Sequence, residues 1–277
     1  MSLKPGYDLL RIRKDRRSLM TCIGIIGLGQ MGSALAKAIR KSDATVPLLL
    51  NRRHLNQSKA LAQEVQGELV PVNRLLQEAD IILMAIKPNQ VRSFFKDHYK
   101  TIQSLQGKLW LSVAAGVSLT ELQELTPSDH QWIRLMPNTS IEIGKGLIAY
   151  TGGDSTSQSI LDKYLKASGS LVPISEDKFP AFTALAGCGP AYIYILIEAM
   201  SDAGVHAGLS RQEALAFACQ VVEGAGAMVK ETHQHPALLK DGVTSPGGAT
   251  IQGVRKLEEA GLRSAIIEAI LASSQGK

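Results

Sequence analysis

Cysteine is scarce in this chain of 277 residues, in which only Cys22, Cys188 and Cys219 occur. The three lie in apolar stretches without paired spacing and without neighbouring histidines, so neither a disulfide framework nor a metal site is expected. We interpret them as small buried residues of a protein from a reducing compartment, which predicts a cytoplasmic location.

Long hydrophobic runs and a general excess of charge are also absent. The longest apolar runs are far shorter than the roughly 20 residues that a membrane-spanning helix needs, so no membrane partner is expected. The formal net charge of +5 is concentrated in residues 1–20, where six lysines or arginines stand against two aspartates. The rest of the chain is almost neutral, so no nucleic-acid partner is indicated.

The first twenty residues match neither of the common targeting signals. They have no apolar core of the signal-peptide type, and Asp8 and Asp15 are unusual in a transit peptide. We therefore expect residues 1–20 to be a disordered basic extension, with Met20 as the effective start of the protein.

The first apolar run of the chain opens directly into three glycines spaced as G-x-G-x-x-G. It predicts a buried strand over 22–26, a turn at Gly27 and a helix that begins near Gln30. Gly29 would let the backbone approach a pyrophosphate, and Gly32 would let the helix pack on the strand. The helix N-terminus favours an anion. A tight turn without a ligand is the alternative to a dinucleotide site formed by Gly27, Leu28, Gly29, Gln30, Met31 and Gly32.

The residues after the second predicted strand bear on the choice of dinucleotide. A site that prefers NAD usually has an acidic residue there, but this chain has Asn51, Arg52 and Arg53. Arginine binds a 2′-phosphate through two hydrogen bonds, and the missing carboxylate removes a repulsion. We therefore predict NADPH as the favoured cofactor, with NADH possible; a loop of solvated arginines is the alternative.

Predicted strands and helices then alternate, which is the pattern of a parallel β-α-β sheet. From Phe179 onward every apolar pattern is helical. We predict an α/β fold with an N-terminal Rossmann-type doubly wound domain over 21–175 and an all-α C-terminal domain over 176–277. The later strands are expected at 46–50, 68–70, 80–86, 109–113, 133–136, 146–150 and 171–174, and the helices at 55–65, 73–79, 158–167, 182–203, 210–232, 236–241, 250–260 and 262–272.

The helix predicted over 182–203 is apolar nearly all round, with Leu185, Ile193, Ile197 and Met200 spread over several sides. Such a helix must be buried on several sides. In a helical domain of this size that suggests packing against a second subunit, so we predict a C-terminal dimerisation domain. The central helix of a monomeric bundle is the alternative.

Three further stretches join the glycine motif: Ala85-Ile86-Lys87-Pro88, the sequence LAGCGPAY over 185–192, and HPALLKDGVTSPGGAT over 235–250. Together they closely resemble the pyrroline-5-carboxylate reductase family, over residues 21–272. The resemblance implies reduction of the cyclic imine 1-pyrroline-5-carboxylate to L-proline by NAD(P)H, the last step of proline biosynthesis. It also implies a homodimer built through the C-terminal helices, often assembled into a higher oligomer.

The stretch Ser245-Pro246-Gly247-Gly248 reads as a turn that exposes backbone N–H groups before a helix. Such a turn can hold a carboxylate, although a Pro-Gly turn that merely caps the helix is the alternative. We predict substrate binding by Ser245, Gly247, Gly248, Ala249 and Thr250. The resemblance implies carboxylate binding by Gly248 and Ala249, a hydrogen bond between Thr250 and the imine nitrogen, and a place by the substrate for Glu176, so Thr250 and Glu176 are the predicted catalytic residues. It further implies cofactor contacts from Asn73, Lys87 and Ala115, and the strand end adds Ala85, Ile86 and Pro88 as predicted cofactor residues.

Two other functions remain open from the sequence. A 3-hydroxyacid dehydrogenase of the 6-phosphogluconate type shares the opening Gly-Leu-Gly-x-Met-Gly, but it needs a catalytic lysine on the helix over 182–203, which has none. A non-catalytic NADP-binding regulatory paralogue is the second alternative. The intact stretch from Ser245 to Thr250 argues against it.

Overall fold

The computed structural model describes residues 21–52 and 58–275. These residues divide into two compact units, and the division falls between Phe182 and Thr183. The sequence-based features that lie outside the described residues are the basic extension over 1–20, Arg53 and the beginning of the helix expected over 55–65.

The strands of the first unit are β1 (Ile23–Ile26), β2 (Leu48–Asn51), β3 (Glu68–Leu69), β4 (Ile81–Met84), β5 (Leu109–Ser112), β6 (Gln131–Pro137), β7 (Gly146–Gly152) and β8 (Gly169–Pro173). They form one eight-stranded sheet in the order β3-β2-β1-β4-β5-β6-β7-β8. Neighbouring strands are parallel except β6 and β7, which pair antiparallel. This order confirms the predicted Rossmann-type doubly wound domain.

Helices cover both faces of this sheet. They are α1 (Gln30–Ser42), α2 (Lys59–Glu64), α3 (Val72–Glu78), α4 (Pro88–Asp97), α5 (Tyr99–Gln103), α6 (Leu119–Gln123), α7 (Ser155–Leu165) and α8 (Phe179–Phe182). Leu35 and Leu161 of α1 and α7 lie in the core of one face. On the other face Phe95 of α4 packs near Trp110 and Trp132, whose stacked rings have centroids 5.2 Å apart. Burial on both faces explains why β1 and β4 are continuous apolar runs.

Helices α4, α5 and α6 are absent from the sequence-based prediction. In α4 the buried residues are Val91 and Phe95, and the partly buried Phe94 also packs against the core. The apolar pattern of this helix is therefore short. The better signal was Pro88 directly after a strand, because proline favours the first turn of a helix.

The second unit consists of helices alone: a π-helical turn (Thr183–Gly187), α9 (Gly189–His206), α10 (Arg211–Thr232), α11 (Pro236–Gly242), α12 (Ala249–Glu259) and α13 (Leu262–Gln275). The single helix predicted over 182–203 is wrong in one respect, because it is interrupted before α9. Pro190 lacks an N–H and its ring would clash with the carbonyl four residues earlier in a continuous α-helix. The chain adopts the π-helical turn there and α9 restarts with Pro190 in its first turn.

Few side chains of these helices are buried within the single chain. Among the described residues of α9 to α13 only Ser201, Ala214 and Ala218 are buried. By length and composition alone, the segment Glu176–His206 could cross a membrane, so the expectation that no segment is long enough is wrong. Several large apolar residues of the second unit are each more than half exposed, including Leu185, Ile195, Phe217, Val221, Leu238 and Val243.

The three cysteines are free thiols. Cys22 and Cys188 are partly buried, whereas Cys219 is exposed on α10 in the single chain, so the expectation of burial is wrong for Cys219. Burial raises the pKa of the Cys22 thiol to about 11, with a further contribution from the carboxylate of Asp80. At neutral pH Cys22 is therefore protonated and a poor nucleophile.

A buried histidine lies at the opposite end of the sheet from the glycine motif, just before β6. The Nδ1 atom of His130 accepts a hydrogen bond of 3.0 Å from the backbone N–H of Lys108. Its Nε2 atom lies 4.0 Å from the carboxylate of Asp129. Burial lowers the pKa of His130, although Asp129 acts in the opposite direction. The folded state therefore favours the neutral imidazole.

This lowered pKa predicts a pH-dependent loss of stability. The stability that His130 contributes is fully present at pH values above the pKa of about 6.5 that this residue has in the unfolded chain. It is lost as the pH falls through the lower pKa that His130 has in the folded protein. Denaturant unfolding of wild type and His130→Gln between about pH 7.5 and about pH 5 measures this contribution. The wild type should lose more free energy of unfolding than the variant, and parallel losses would contradict the prediction.

Candidate functional site

The turn after β1 depends on a glycine at position 27. Gly27 has a φ of +93°, and a Cβ atom there would lie 2.4 Å from the carbonyl oxygen of Ala85. Its N–H donates a hydrogen bond of 2.9 Å to the carbonyl of Asn51 at the end of β2. The turn is thereby fixed between the ends of β2 and β4, at the edge where doubly wound sheets bind ligands.

The next two glycines of the motif differ in their surroundings. A Cβ atom on Gly32 would lie 2.0 Å from the carbonyl oxygen of Gly27, so α1 packs directly on the turn. A Cβ atom on Gly29 would meet no atom within 4 Å. Gly29 is the N-cap of α1, and the first turn of that helix contains no acidic residue. The N–H groups of this turn therefore face an open cradle that fits a pyrophosphate.

The cradle opens into a cleft of about 730 Å³ within the first unit. Arg52 is half-buried in its wall, beside Asn51, whose side-chain amide donates to the carbonyl of Val70 at 2.8 Å. Both residues follow the end of β2, where a 2′-phosphoribose binds in folds of this type. The predicted cofactor residues that line the cleft are Gly27, Leu28, Gly29, Asn51, Arg52, Ala85, Ile86 and Lys87.

Within the part of the chain that the structure describes, the other predicted cofactor residues do not line this cleft. Gln30, Met31 and Gly32 form the first turn of α1, and Asn73 follows Val72, which does line the cleft. Ala115 is exposed in the loop after β5. Pro88 borders a second cavity of about 280 Å³ that Gly116, the neighbour of Ala115, also lines.

One whole wall of the cleft was not predicted from the sequence. It is formed by a face of α4, a helix that the sequence did not predict, by the last residue of β1 and by the first residue of α3. The periodicity of polar and aromatic residues after Pro88 was the available signal. The missed lining residues are Ile26, Val72, Gln90, Ser93, Phe94, Asp97 and His98.

The predicted substrate residues lie together on one turn of the second unit. Gly247 has a φ of +68°, and the N–H of Gly248 donates to the carbonyl of Ser245 at 3.0 Å. Gly248 is the N-cap of α12, and its backbone leads straight into Ala249 and Thr250. Because the Gly248 N–H is engaged within the turn, the N–H groups of Ala249 and Thr250 are the donors that the helix start offers to an anion.

Glu176 lies in the first unit and is held by two donors. Its Oε1 atom accepts 2.8 Å from Nη1 of Arg134 and 2.6 Å from the backbone N–H of Leu119. The guanidinium of Arg134 also lies over the Phe179 ring, 4.4 Å from its centroid. Arg134, which was not predicted from the sequence, thus pairs with Glu176 and fixes its carboxylate in place.

Both units match known protein families. Residues 176–277 match the family described as "Pyrroline-5-carboxylate reductase dimerisation". Residues 22–116 match the family described as "NADP oxidoreductase coenzyme F420-dependent". The first match covers the helical unit and the last residues of the first unit. The second match covers the part of the sheet that contains the cleft.

Relatives align over nearly the whole chain. The pyrroline-5-carboxylate reductase of Glycine max is 38% identical over 261 residues, which cover 91% of this chain and 93% of that protein. The enzyme of the same name from Synechocystis is 39% identical, with coverages of 91% and 95%. A crystal structure of Plasmodium falciparum pyrroline carboxylate reductase with NADP bound superimposes with a TM-score of 0.81 at 30% identity, over 92% of this chain and 96% of that chain.

Proposed function

Because the chain belongs to the pyrroline-5-carboxylate reductase family, we propose for it the reduction of the cyclic imine 1-pyrroline-5-carboxylate to L-proline by NADPH. It is an NAD(P)H-dependent oxidoreductase that acts on a CH–NH bond, in proline biosynthesis. The observation that carries the substrate class is the turn at Ser245–Gly248, which leads into an uncapped helix start that suits a carboxylate.

The residues of the first unit suit NADP. The first turn of α1 holds the pyrophosphate in the open space beside Gly29, and Arg52 pairs with the 2′-phosphate at the end of β2. When the dinucleotide is bound, its dihydronicotinamide ring supplies the hydride. The turn at Gly27 is held by its hydrogen bond to Asn51, so its backbone would give the cofactor a fixed surface to lie against.

The residues of the second unit suit the imine acid. The N–H groups of Ala249 and Thr250 hold the substrate carboxylate, and the hydroxyl of Thr250 orients the ring nitrogen. A protonated imine is already electrophilic, so the enzyme mainly has to place its carbon and stabilise its charged nitrogen. By the resemblance to the family, Glu176 of the first unit would favour the protonated imine through its negative charge, and Arg134 keeps that carboxylate in position.

Arginine at the end of β2 predicts discrimination between the two cofactors. The double substitution Arg52→Gln, Arg53→Gln removes the positive charge that binds the 2′-phosphate, which NADH lacks. The KM for NADPH should rise by at least tenfold, whereas the KM for NADH should change by less than about threefold. Steady-state kinetics with both cofactors measures the effect, and equal changes would contradict the assignment.

The exposed apolar surface of the second unit supports a homodimer. A dimer built through α9 and α10 would bury Ile195, Phe217 and Val221, which are exposed in the single chain. The match to a dimerisation family over 176–277 points the same way. We further propose a cytoplasmic location and expect that dimers associate into larger assemblies.

Light scattering after size-exclusion chromatography in detergent-free buffer tests this assembly. The wild type should have the mass of two chains or a multiple of two, because the apolar faces need a partner. Ile195→Glu should lower the mass towards one chain, whereas Lys100→Glu on the first unit should not. A monomeric wild type, or a protein that is recovered only in detergent, would contradict the dimer.

An absorbance assay of NADPH oxidation separates this function from its two rivals. NADPH oxidation should require 1-pyrroline-5-carboxylate, and NADP should not be reduced when 6-phosphogluconate is the only substrate. The helical unit argues against the dehydrogenase, because α9 contains no lysine. Absence of oxidation with the imine would favour the regulatory paralogue instead.

A further inference from the structure

The start of helix α6 holds one of the two predicted catalytic residues. The backbone N–H of Leu119, the first residue of α6, donates to Oε1 of Glu176 at 2.6 Å. The two residues are 57 positions apart in the sequence, so the contact depends on how the loop after β5 delivers the helix. The place of the Glu176 carboxylate therefore depends on where this loop ends and α6 begins.

Packing alone does not fix the loop between β5 and α6. One side of it faces the second cavity, of about 280 Å³, which is lined by Gly116, Val117 and Glu121 among others. Gly116 has a φ of +76°, and a Cβ atom there would meet no atom of the described residues within 4 Å. The loop thus has room to move into the cavity unless hydrogen bonds hold its end.

Glu121 supplies those hydrogen bonds. Its Oε2 atom accepts from the backbone N–H of Ser118 at 3.0 Å and from the Ser118 hydroxyl at 3.1 Å. The Ser118 oxygen in turn accepts from the Glu121 N–H at 3.2 Å. This reciprocal pair is a capping box, which fixes the first turn of a helix. It therefore fixes the direction of the Leu119 N–H that lies between its two members.

The same carboxylate also ties α6 to α4. The Oε1 atom of Glu121 accepts from Nη2 of Arg92 at 2.9 Å. The hydrogen bonds from the Ser118 N–H and from Arg92 hold the pKa of Glu121 below its ordinary value, so the carboxylate is ionised at neutral pH. The Arg92 side chain is largely exposed, and an exposed ion pair adds little stability. The bonds to Ser118 are thus the main hold on the start of α6.

We propose that Glu121 is a positioning residue of the reductase reaction, which fixes the Leu119 N–H through its capping box with Ser118 and thereby the carboxylate of Glu176. This inference rests on the proposed function, because only the resemblance puts Glu176 beside the imine. Arg134 donates to the same Glu176 oxygen at 2.8 Å. An oxygen held by one donor is free to rotate about that bond, whereas a second donor fixes the direction of the carboxylate.

Steady-state kinetics of Glu121→Ala at saturating NADPH tests the proposal. The substitution removes the acceptor for Ser118 and leaves the buried Leu122 of α6 in place. The kcat/KM for 1-pyrroline-5-carboxylate should fall by at least about fivefold, the scale of one hydrogen bond. A kcat/KM within about twofold of wild type would overturn the proposal.

Glu121→Gln separates the capping box from the ion pair with Arg92. Glutamine can replace glutamate in a capping box, because its side-chain oxygen still accepts from the N-cap residue. This variant should therefore recover most of the activity lost in Glu121→Ala, and an equal loss in both would overturn the role of the capping box. Glu124→Ala, at an exposed position at the end of the same helix, is the matched control and should have wild-type kinetics.

A double substitution shows whether Glu121 acts through Glu176. In a Glu176→Gln background there is no negative charge left to position, although the glutamine oxygen can still accept from Arg134 and support the fold. Glu121→Ala should then lower kcat/KM by less than about twofold further, because the two residues act through one contact. Losses that multiply in full would overturn this path.

Hydrogen-exchange mass spectrometry measures the contact without substrate or cofactor. The backbone amides of residues 118–123 should exchange faster in Glu121→Ala than in wild type, and Glu121→Gln should exchange like wild type. Unchanged exchange in Glu121→Ala would overturn the positioning role. An inactive wild type would overturn the proposed function, whereas an active wild type with an unaffected Glu121→Ala would overturn this inference alone.

Discussion

Replacement of Thr250 by valine is expected to lower kcat/KM for the imine by about 5- to 150-fold, or roughly 1–3 kcal/mol of transition-state stabilisation. Valine has the shape of threonine but lacks the hydroxyl that orients the ring nitrogen. Thr250 is exposed at the first turn of α12, so the fold should be retained. Steady-state kinetics with 1-pyrroline-5-carboxylate at saturating NADPH measures the loss.

Thr250→Ser is the control for this prediction, because it keeps the hydroxyl and removes only a methyl group. It should retain most of the wild-type kcat/KM, and the KM for NADPH should be unchanged in both variants. If Thr250→Val has the wild-type kcat/KM, Thr250 has no part in the mechanism.

Replacement of Gly29 by alanine is expected to weaken NADPH binding by at least tenfold while the protein remains folded. The added methyl group meets no protein atom within 4 Å, and the φ of −78° at this position suits any residue. The methyl group instead occupies the space in which the pyrophosphate approaches the backbone. Fluorescence titration with NADPH gives the affinity, and thermal unfolding gives the stability.

Gly32→Ala provides a contrast within the same motif. Its methyl group would lie 2.0 Å from the carbonyl oxygen of Gly27, so this variant should lose stability as well as cofactor affinity. Wild-type NADPH affinity in Gly29→Ala would show that the cofactor binds elsewhere.

The fold was largely predictable because its signals are local. The buried strands β1 and β4 are unbroken apolar runs, and the glycines after β1 fix the strand, the turn and the start of α1. Strand ends were less predictable, since hydrogen bonding to neighbouring strands decides them. The break between the π-helical turn and α9 was missed, although Pro190 marks it, because the apolar composition continues through it.

The candidate site was predictable only in part, because some of its residues are neighbours in the sequence and others are brought together only by the fold. The cradle at Gly29 and the turn before α12 are formed by consecutive residues with characteristic backbone chemistry. The α4 wall and the pairing of Arg134 with Glu176 depend on which elements become neighbours in space. Residues 92 to 98 contain no motif, and Arg134 lies within a strand 42 positions from its partner.

The fate of a labelled hydride tests the central claim most directly. The enzyme is supplied with 1-pyrroline-5-carboxylate and NADPH that carries deuterium at the transferable position of the nicotinamide C4. Mass spectrometry should find one deuterium in L-proline for each NADPH oxidised, and NMR should place it on the ring carbon that was the imine carbon. NADPH oxidation without deuterium in proline, or no oxidation at all, would contradict the account.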